Sequence, residues 1–184
     1  MFTNLLARFL PLLLLVAPLQ AQTVQTRPKA EMSAPFGLRW GDNTQRIQGL
    51  LDGAKARVTR KDTHQGRARW AVDGIKQEHL ESAFFYFENG GLSEVELIYR
   101  NSGWGEQQYN AFMGRLRQTV ASRFGPGEML ERSKAPFGEV EQTLVAYRWR
   151  QGDTIMELVY FGAQKGTENY RALSLHYRVF IPAY

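Results

Sequence analysis

Apolar and polar residues alternate most cleanly in the stretch from Ser82 to Arg100, SAFFYFENGGLSEVELIYR. Val95, Leu97 and Tyr99 fall on one phase, and Glu94, Glu96 and Arg100 on the other. A period of two predicts a strand with one dry and one wet side. Asn89-Gly90-Gly91 separates it from a preceding apolar run. Asn-Gly between two such runs predicts a tight hairpin, because both residues tolerate positive φ. The same two-residue period returns near the C-terminus, where Leu173, Leu175, Tyr177 and Val179 alternate with Ser174, His176 and Arg178.

Between these regions the period changes. Tyr109, Phe112, Met113, Leu116, Val120 and Phe124 form a stripe at helical spacing, so a helix is predicted over Glu106 to Phe124, stopped by Gly125-Pro126. Three strands are predicted after it, at Glu128 to Lys134, Thr143 to Arg150 and Thr154 to Phe161, before the last strand at Arg171 to Phe180. Upstream, Ile47, Leu50, Leu51 and Ala54 mark a shorter helix. Asp42 and Gln45 stand at capping-box spacing before it, and Gly53 offers a stop. Phe36, Leu38 and Trp40 alternate as in a short strand. Ala56 to Lys61 and Arg67 to Asp73 predict two further strands around the turn Asp62 to Gly66, with Ala68, Trp70 and Val72 on one face.

The implied fold class is α+β: helices packed on antiparallel strands in two layers. The order repeats. A Trp-Gly-acid turn (Trp40-Gly41-Asp42, then Trp104-Gly105-Glu106) precedes a helix and then strands, and Trp70 and Trp149 fall in corresponding strands. This predicts two tandem repeats, 35–101 and 102–184, whose sheet faces are covered by helices, or one domain fused from them.

Composition sets the compartment. Residues 1–21 carry Arg8, an apolar run from Phe9 to Leu19 and the small Ala21, which reads as a secretory signal peptide with cleavage before Gln22. The apolar run falls short of the roughly 20 residues a membrane span needs. Residues 22–34 are polar and without periodicity, a flexible leader. The chain has no cysteine, which excludes disulfides, thiolate metal sites, thiol nucleophiles and a lipoprotein anchor. A periplasmic or secreted location follows as the expectation.

The Phe36 to Ala54 segment, with its aromatic-Gly-apolar opening, Trp-Gly turn and short capped helix, resembles small bacterial periplasmic proteins. It is similar to the SmpA/OmlA-like (BamE-like) domain of outer-membrane assembly and to the repeat of β-lactamase inhibitory protein. The resemblance implies an α+β repeat and a role in the cell envelope. Lipoprotein members of the first group carry an anchoring cysteine and the inhibitor's repeats carry cysteines; this chain has neither.

Candidate chemistry is sparse. His64, His79 and His176 stand in no metal-ligand spacing and are expected as solvated surface residues. No nucleophile elbow, P-loop or dinucleotide fingerprint is present. Neither a metal nor another cofactor is expected. Glu94 and Glu96 share a strand face roughly 7 Å apart, a spacing open to glycan hydrolysis but more usual in cross-strand ion pairs. The consecutive aromatics Phe84 to Phe87 make both faces of their strand apolar, covered by the other half of the chain or left as a partner surface.

Charge adds one feature. The net charge is +5, and +4 once Arg8 leaves with the signal segment. Lys55, Arg57, Arg60, Lys61, Arg67 and Arg69 face a single acid, Asp62, which gives the Lys55–Arg69 stretch alone +5. Ordinary surfaces mix signs. Strand alternation places Arg57, Lys61, Arg67 and Arg69 in one strip on the wet side of the sheet, a binding site for an anionic envelope component or an acidic protein surface; nucleic acid is not expected as a partner. These observations point to a non-enzymatic periplasmic binding or envelope-assembly module. A secreted enzyme inhibitor and a carboxylate-dependent glycan hydrolase are the alternatives.

Overall fold

The computed structural model describes residues 30–180. The signal segment 1–21 and the first part of the leader lie outside the described residues. Eight strands and two helices follow one another as α1 (Thr44–Gly53), β1 (Arg57–His64), β2 (Arg67–Asp73), β3 (Leu80–Glu88), β4 (Gly91–Tyr99), α2 (Glu106–Phe124), β5 (Glu128–Phe137), β6 (Val140–Gln151), β7 (Thr154–Lys165) and β8 (Glu168–Val179). The fold class is α+β, as the alternating and helical periods predict.

Turn chemistry makes the hairpins. Asn89 and Gly90 both take positive φ, 50° and 80°, as the tight turn between β3 and β4 requires. Between β6 and β7 only the first turn residue, Gly152, has positive φ, at 57°, and this is the mirror-image turn that needs glycine first. The predicted strand over Phe36 to Trp40 does not form. Pro35–Gly37 is a single 3-10 turn with Phe36 at φ 61°. Pro35 and Gly37 favour a turn over a ladder, and Phe36 is left 44% exposed. The cap of α1 is Asn43, whose side chain accepts from the Arg46 N–H at 2.9 Å. Asp42 instead accepts from the Arg39 N–H at 2.9 Å and pairs with Arg46.

All eight strands form one antiparallel sheet in the order β1-β2-β3-β4-β8-β7-β6-β5. It is two four-stranded meanders joined through their last strands. The junction registers Val95 with Tyr177, Leu97 with Leu175, and Tyr99 with Leu173. The outermost strands, β1 and β5, each carry a bulge, between Val58 and Arg60 and between Met129 and Glu131. Bulges and charges blunt edges that would otherwise pair with another chain.

One contiguous core lies on one face of this sheet. Ile47 and Leu51 of α1, and Tyr109, Phe112, Met113 and Val120 of α2, are buried with Trp70, Phe85, Val95, Leu97, Tyr99, Trp149, Leu158 and Leu175. Phe112 meets Tyr99 and Trp104 edge-on at 5.3 Å each. Aromatic burial of this kind stabilises by about 1.5–3 kcal/mol per side chain. Leu116 lies at the margin and is only partly buried. The end of the leader joins the core: Met32 and Ala34 are buried, and Gln151 of β6 accepts from the Met32 N–H and donates to the Ala30 carbonyl. Every described helix lies on this face. The expected helical cover is thus confined to this one face of a single sheet, where the helices touch the strands only sparingly; among the described residues no helix lies on the opposite, bare face.

Candidate functional site

The bare face is built from the strand phase opposite the core. Register gives it rows that run across the strands. One row reads Arg148, Glu157, His176, Glu96, Phe84, Ala71, Arg60. The next reads Arg150, Ile155, Arg178, Glu94, Tyr86, Arg69, Asp62. On the other side of the first row the phase turns apolar, through Ala146, Val159, Ser174 and Ile98, and then Leu144, Phe161 and Ala172. Two charged and aromatic rows thus lie beside two mainly apolar ones.

Four cations were expected to share this face. The structure separates them. The bulge at Thr59 shifts the phase of β1, so Arg57 stands opposite Asp73 while Lys61 stands opposite Trp70, on the core side. The Lys61 ammonium sits 4.0 Å from the centroid of the Trp70 ring. Arg67 and Arg69 do lie on the bare face, and neither is free. Arg67 pairs with Glu94 at 2.8 Å. Arg69 grips Asp62 with two bonds of 2.8 Å, and Arg60 reaches the same carboxylate at 2.9 Å. The Arg69 fork, followed by charge attraction, holds the Asp62 carboxyl below its ordinary value.

The same arginines account for the consecutive aromatics. Phe85 and Phe87 point into the core. Tyr86 is buried beneath Arg67, whose guanidinium lies 4.9 Å from the ring centroid, and Arg69 lies 5.2 Å from that of Phe84. The second apolar face of β3 is thus covered by neighbouring arginines, and not by the other half of the chain.

Sequence reasoning missed the centre of the face. His176 was expected in solvent; it lies between two carboxylates, its Nδ1 3.7 Å from Glu94 and its Nε2 3.5 Å from Glu96, and its Nε2 is 3.0 Å from the Ser174 hydroxyl. Burial pulls its pKa down, but Glu94, Glu96 and Glu157 outweigh that and leave it raised. For Glu94, burial pushes upward, and the neighbouring His176 and the Arg67 hydrogen bond more than reverse it, so the carboxyl sits below its ordinary value. The Tyr86 hydroxyl donates to Glu96 at 2.9 Å. Burial, then the Glu96 charge, pushes that phenol up to about 12. His79 is not a solvated loop residue either, because its ring packs 4.3 Å from Trp104. The signal for the cluster was the polar phase of each strand; what the chain could not display locally was the pairing of β4 with β8.

Chemically this is a set of ion pairs and hydrogen bonds that satisfy one another. A hydrolytic carboxylate pair needs one member kept protonated as the acid and the other ionised. Here the Glu94 carboxyl lies below its ordinary value, and Glu96 accepts a hydrogen bond from Tyr86. No group of three or more His, Cys, Asp or Glu among the described residues is arranged to hold a metal ion.

Comparison of the chain with protein-family models, with characterised proteins and with solved structures gives no match.

Proposed function

We propose that this protein is a non-enzymatic binding module of the bacterial cell envelope, exported by residues 1–21, and that its partner docks on the bare face of the sheet. The observation that carries this reading is the composition of that face. Ordered ion pairs and hydrogen bonds border a strip of Ile98, Leu144, Val159 and Phe161, each only partly exposed, with no described element above it. Side chains already held in place lose little freedom when a partner arrives. Paired charges at the edge of an apolar strip set register and select partners more than they add affinity. The basic hairpin belongs to the same reading. Asp62 and Glu94 already offset Arg67 and Arg69, and Lys61 lies on the core side over Trp70, which leaves Arg57 as the one of the four that this face offers to an anionic partner.

We also read residues 35–101 and 102–184 as products of duplication. Each half is a helix followed by a four-stranded meander. Val95-Glu-Leu-Ile-Tyr-Arg100 and Leu173-Ser-Leu-His-Tyr-Arg178 share Leu, Tyr and Arg at the same spacing. The register that pairs Leu97 with Leu175 is the one a two-fold axis between such segments would produce.

Site-specific photo-crosslinking in envelope extract tests the docking face. A crosslinker at Val159 is expected to capture a discrete partner, and one at Gln118, exposed on α2, is expected to capture none. Replacing Leu144 and Phe161 with Asp should abolish the Val159 adduct while leaving the fold intact. Capture from Gln118 but not Val159, or an adduct that survives the double replacement, overturns the reading.

A further inference from the structure

We propose that the cleft between α2 and the β5–β6 hairpin, on the opposite side of the sheet from the bare face, is a binding site for a phosphate-type oxyanion held by Arg117 and Arg132. The argument does not depend on the docking reading above. It starts from Tyr147, a buried residue of β6 whose hydroxyl points toward the cleft. Two guanidiniums converge on that one oxygen, Arg117 from α2 at 2.8 Å and Arg132 from β5 at 3.2 Å. Arg117 also lies over the ring, 4.9 Å from its centroid.

Among the described residues neither arginine forms an ion pair with a carboxylate. This sets them apart from Arg60, Arg67, Arg69, Arg148 and Arg178, each of which reaches an aspartate or glutamate. Two like charges brought to a single neutral acceptor repel, and the phenol offers no charge to offset it. The remaining lining sharpens the contrast. Lys134 adds a third cation, already joined to Glu141 at 2.9 Å, and Glu106 is the one carboxylate lining the cleft. The wall is Met113 and Val145, with Asn110 and Thr143 as neutral hydrogen-bonding groups. The cleft is about 530 Å³, room for a phosphate and a small attached body.

An oxyanion seated between the two forks would accept several N–H bonds at once and cancel the repulsion. Planar guanidiniums match phosphate oxygens in pairs, which a lone ammonium does not. The phosphate could be free or part of a lipid head group, and the two sources are separable by experiment.

The protein from Gln22 onward is titrated with inorganic phosphate by calorimetry, and separately with vesicles of phosphatidylglycerol or of phosphatidylcholine. Saturable, salt-sensitive binding of phosphate is expected. Binding to phosphatidylglycerol vesicles without binding of free phosphate would assign the site to a head group. The double replacement Arg117→Gln with Arg132→Gln is expected to weaken either interaction at least about tenfold, the loss that follows from removing charge-assisted hydrogen bonds. Tyr147→Phe removes only the competing acceptor and should bind as well as the parent or better, with circular dichroism confirming that each variant folds. Lys76→Gln, which removes an exposed cation remote from both the cleft lining and the basic hairpin, should change nothing. The proposal is wrong if neither probe binds saturably, if the double variant binds like the parent, if Tyr147→Phe folds but loses binding, or if Lys76→Gln weakens binding as much as the double replacement does.

Discussion

The two edge hairpins, β1–β2 and β5–β6, have the same parts and use them differently. Each has a bulged, charged outer strand and an inner strand with a tryptophan on the core side, Trp70 and Trp149. On β1–β2 the arginines fold over the bare face and find Asp62 and Glu94. On β5–β6 an arginine turns to the helix side and shares a phenol with another from α2. The denser cluster of cations in the sequence is therefore the better neutralised one in space. Local net charge measures supply; a site depends on what the supply lacks after pairing.

The tryptophans give the sharpest test of how far the likeness extends. Trp149 is buried, and its indole N–H donates to the Gly125 carbonyl at 2.9 Å, tying β6 to the end of α2. Gly127 lies so close that a Cβ there would sit 2.5 Å from the Trp149 ring. Trp149→Ala is expected to cost about 3–5 kcal/mol in urea denaturation, the usual cost of deleting a buried aromatic. Trp70 packs 5.1 Å from Phe87 under the Lys61 ammonium. Trp70→Phe should therefore be milder than Trp149→Phe, by roughly 1 kcal/mol for the lost indole hydrogen bond. Equal losses would mean that the N–H bond to Gly125 contributes nothing.

The next contrast concerns acids. Glu94 side-chain atoms are 12% exposed and serve both Arg67 and His176. Glu94→Ala strands that arginine on a half-buried face and is expected to cost roughly 1–3 kcal/mol. Glu131, on exposed β5 opposite Ala146, should change stability by less than about 0.5 kcal/mol when replaced by Ala. A Glu94 variant as mild as the Glu131 one would show the ladder to be ornamental.

Much of this was legible along the chain. The β3–β4 hairpin follows from alternation and Asn89-Gly90, and α2 from the stripe Tyr109, Phe112, Met113, Val120. What failed did so for local or non-local reasons that can be named. Phe36 alternates with Leu38 and Trp40 as in a strand, but alternation over three positions does not outweigh Pro35 and Gly37. Lys61 was placed on the wrong face because a one-residue bulge inverts every later side chain and leaves no mark in a two-residue period. The pairing of β4 with β8 joins segments about eighty residues apart, so nothing local could bring His176 to Glu94. Leu116 belongs to the stripe in sequence but is only partly buried, so it is a weaker probe of the core than Phe112.

The smallest expected effect separates the two regions by pH. The groups facing His176 are Glu94 and Glu96 on β4, Glu157 on β7 and Ser174 on its own strand. Its pKa is raised above the ordinary 6.5, so the stability it contributes is full below that value and is lost as pH climbs through the folded-state value. Glu94 runs the other way. Its pKa is lowered below the ordinary 4.5, so its contribution is full above that value and is lost as pH falls through the folded-state value. Both contributions coexist only between those limits, and stability should peak there and fall gently toward about pH 8. The cleft at α2 and β5–β6 is lined by no histidine, so it adds nothing to that alkaline slope. Denaturation midpoints at about pH 5.5 and about pH 8 should therefore differ in the parent and converge in His176→Gln. Arg117→Gln should leave the difference as it was. If His176→Gln keeps the full slope, the imidazole is not held by these carboxylates, and the central pairing of the bare face is misassigned.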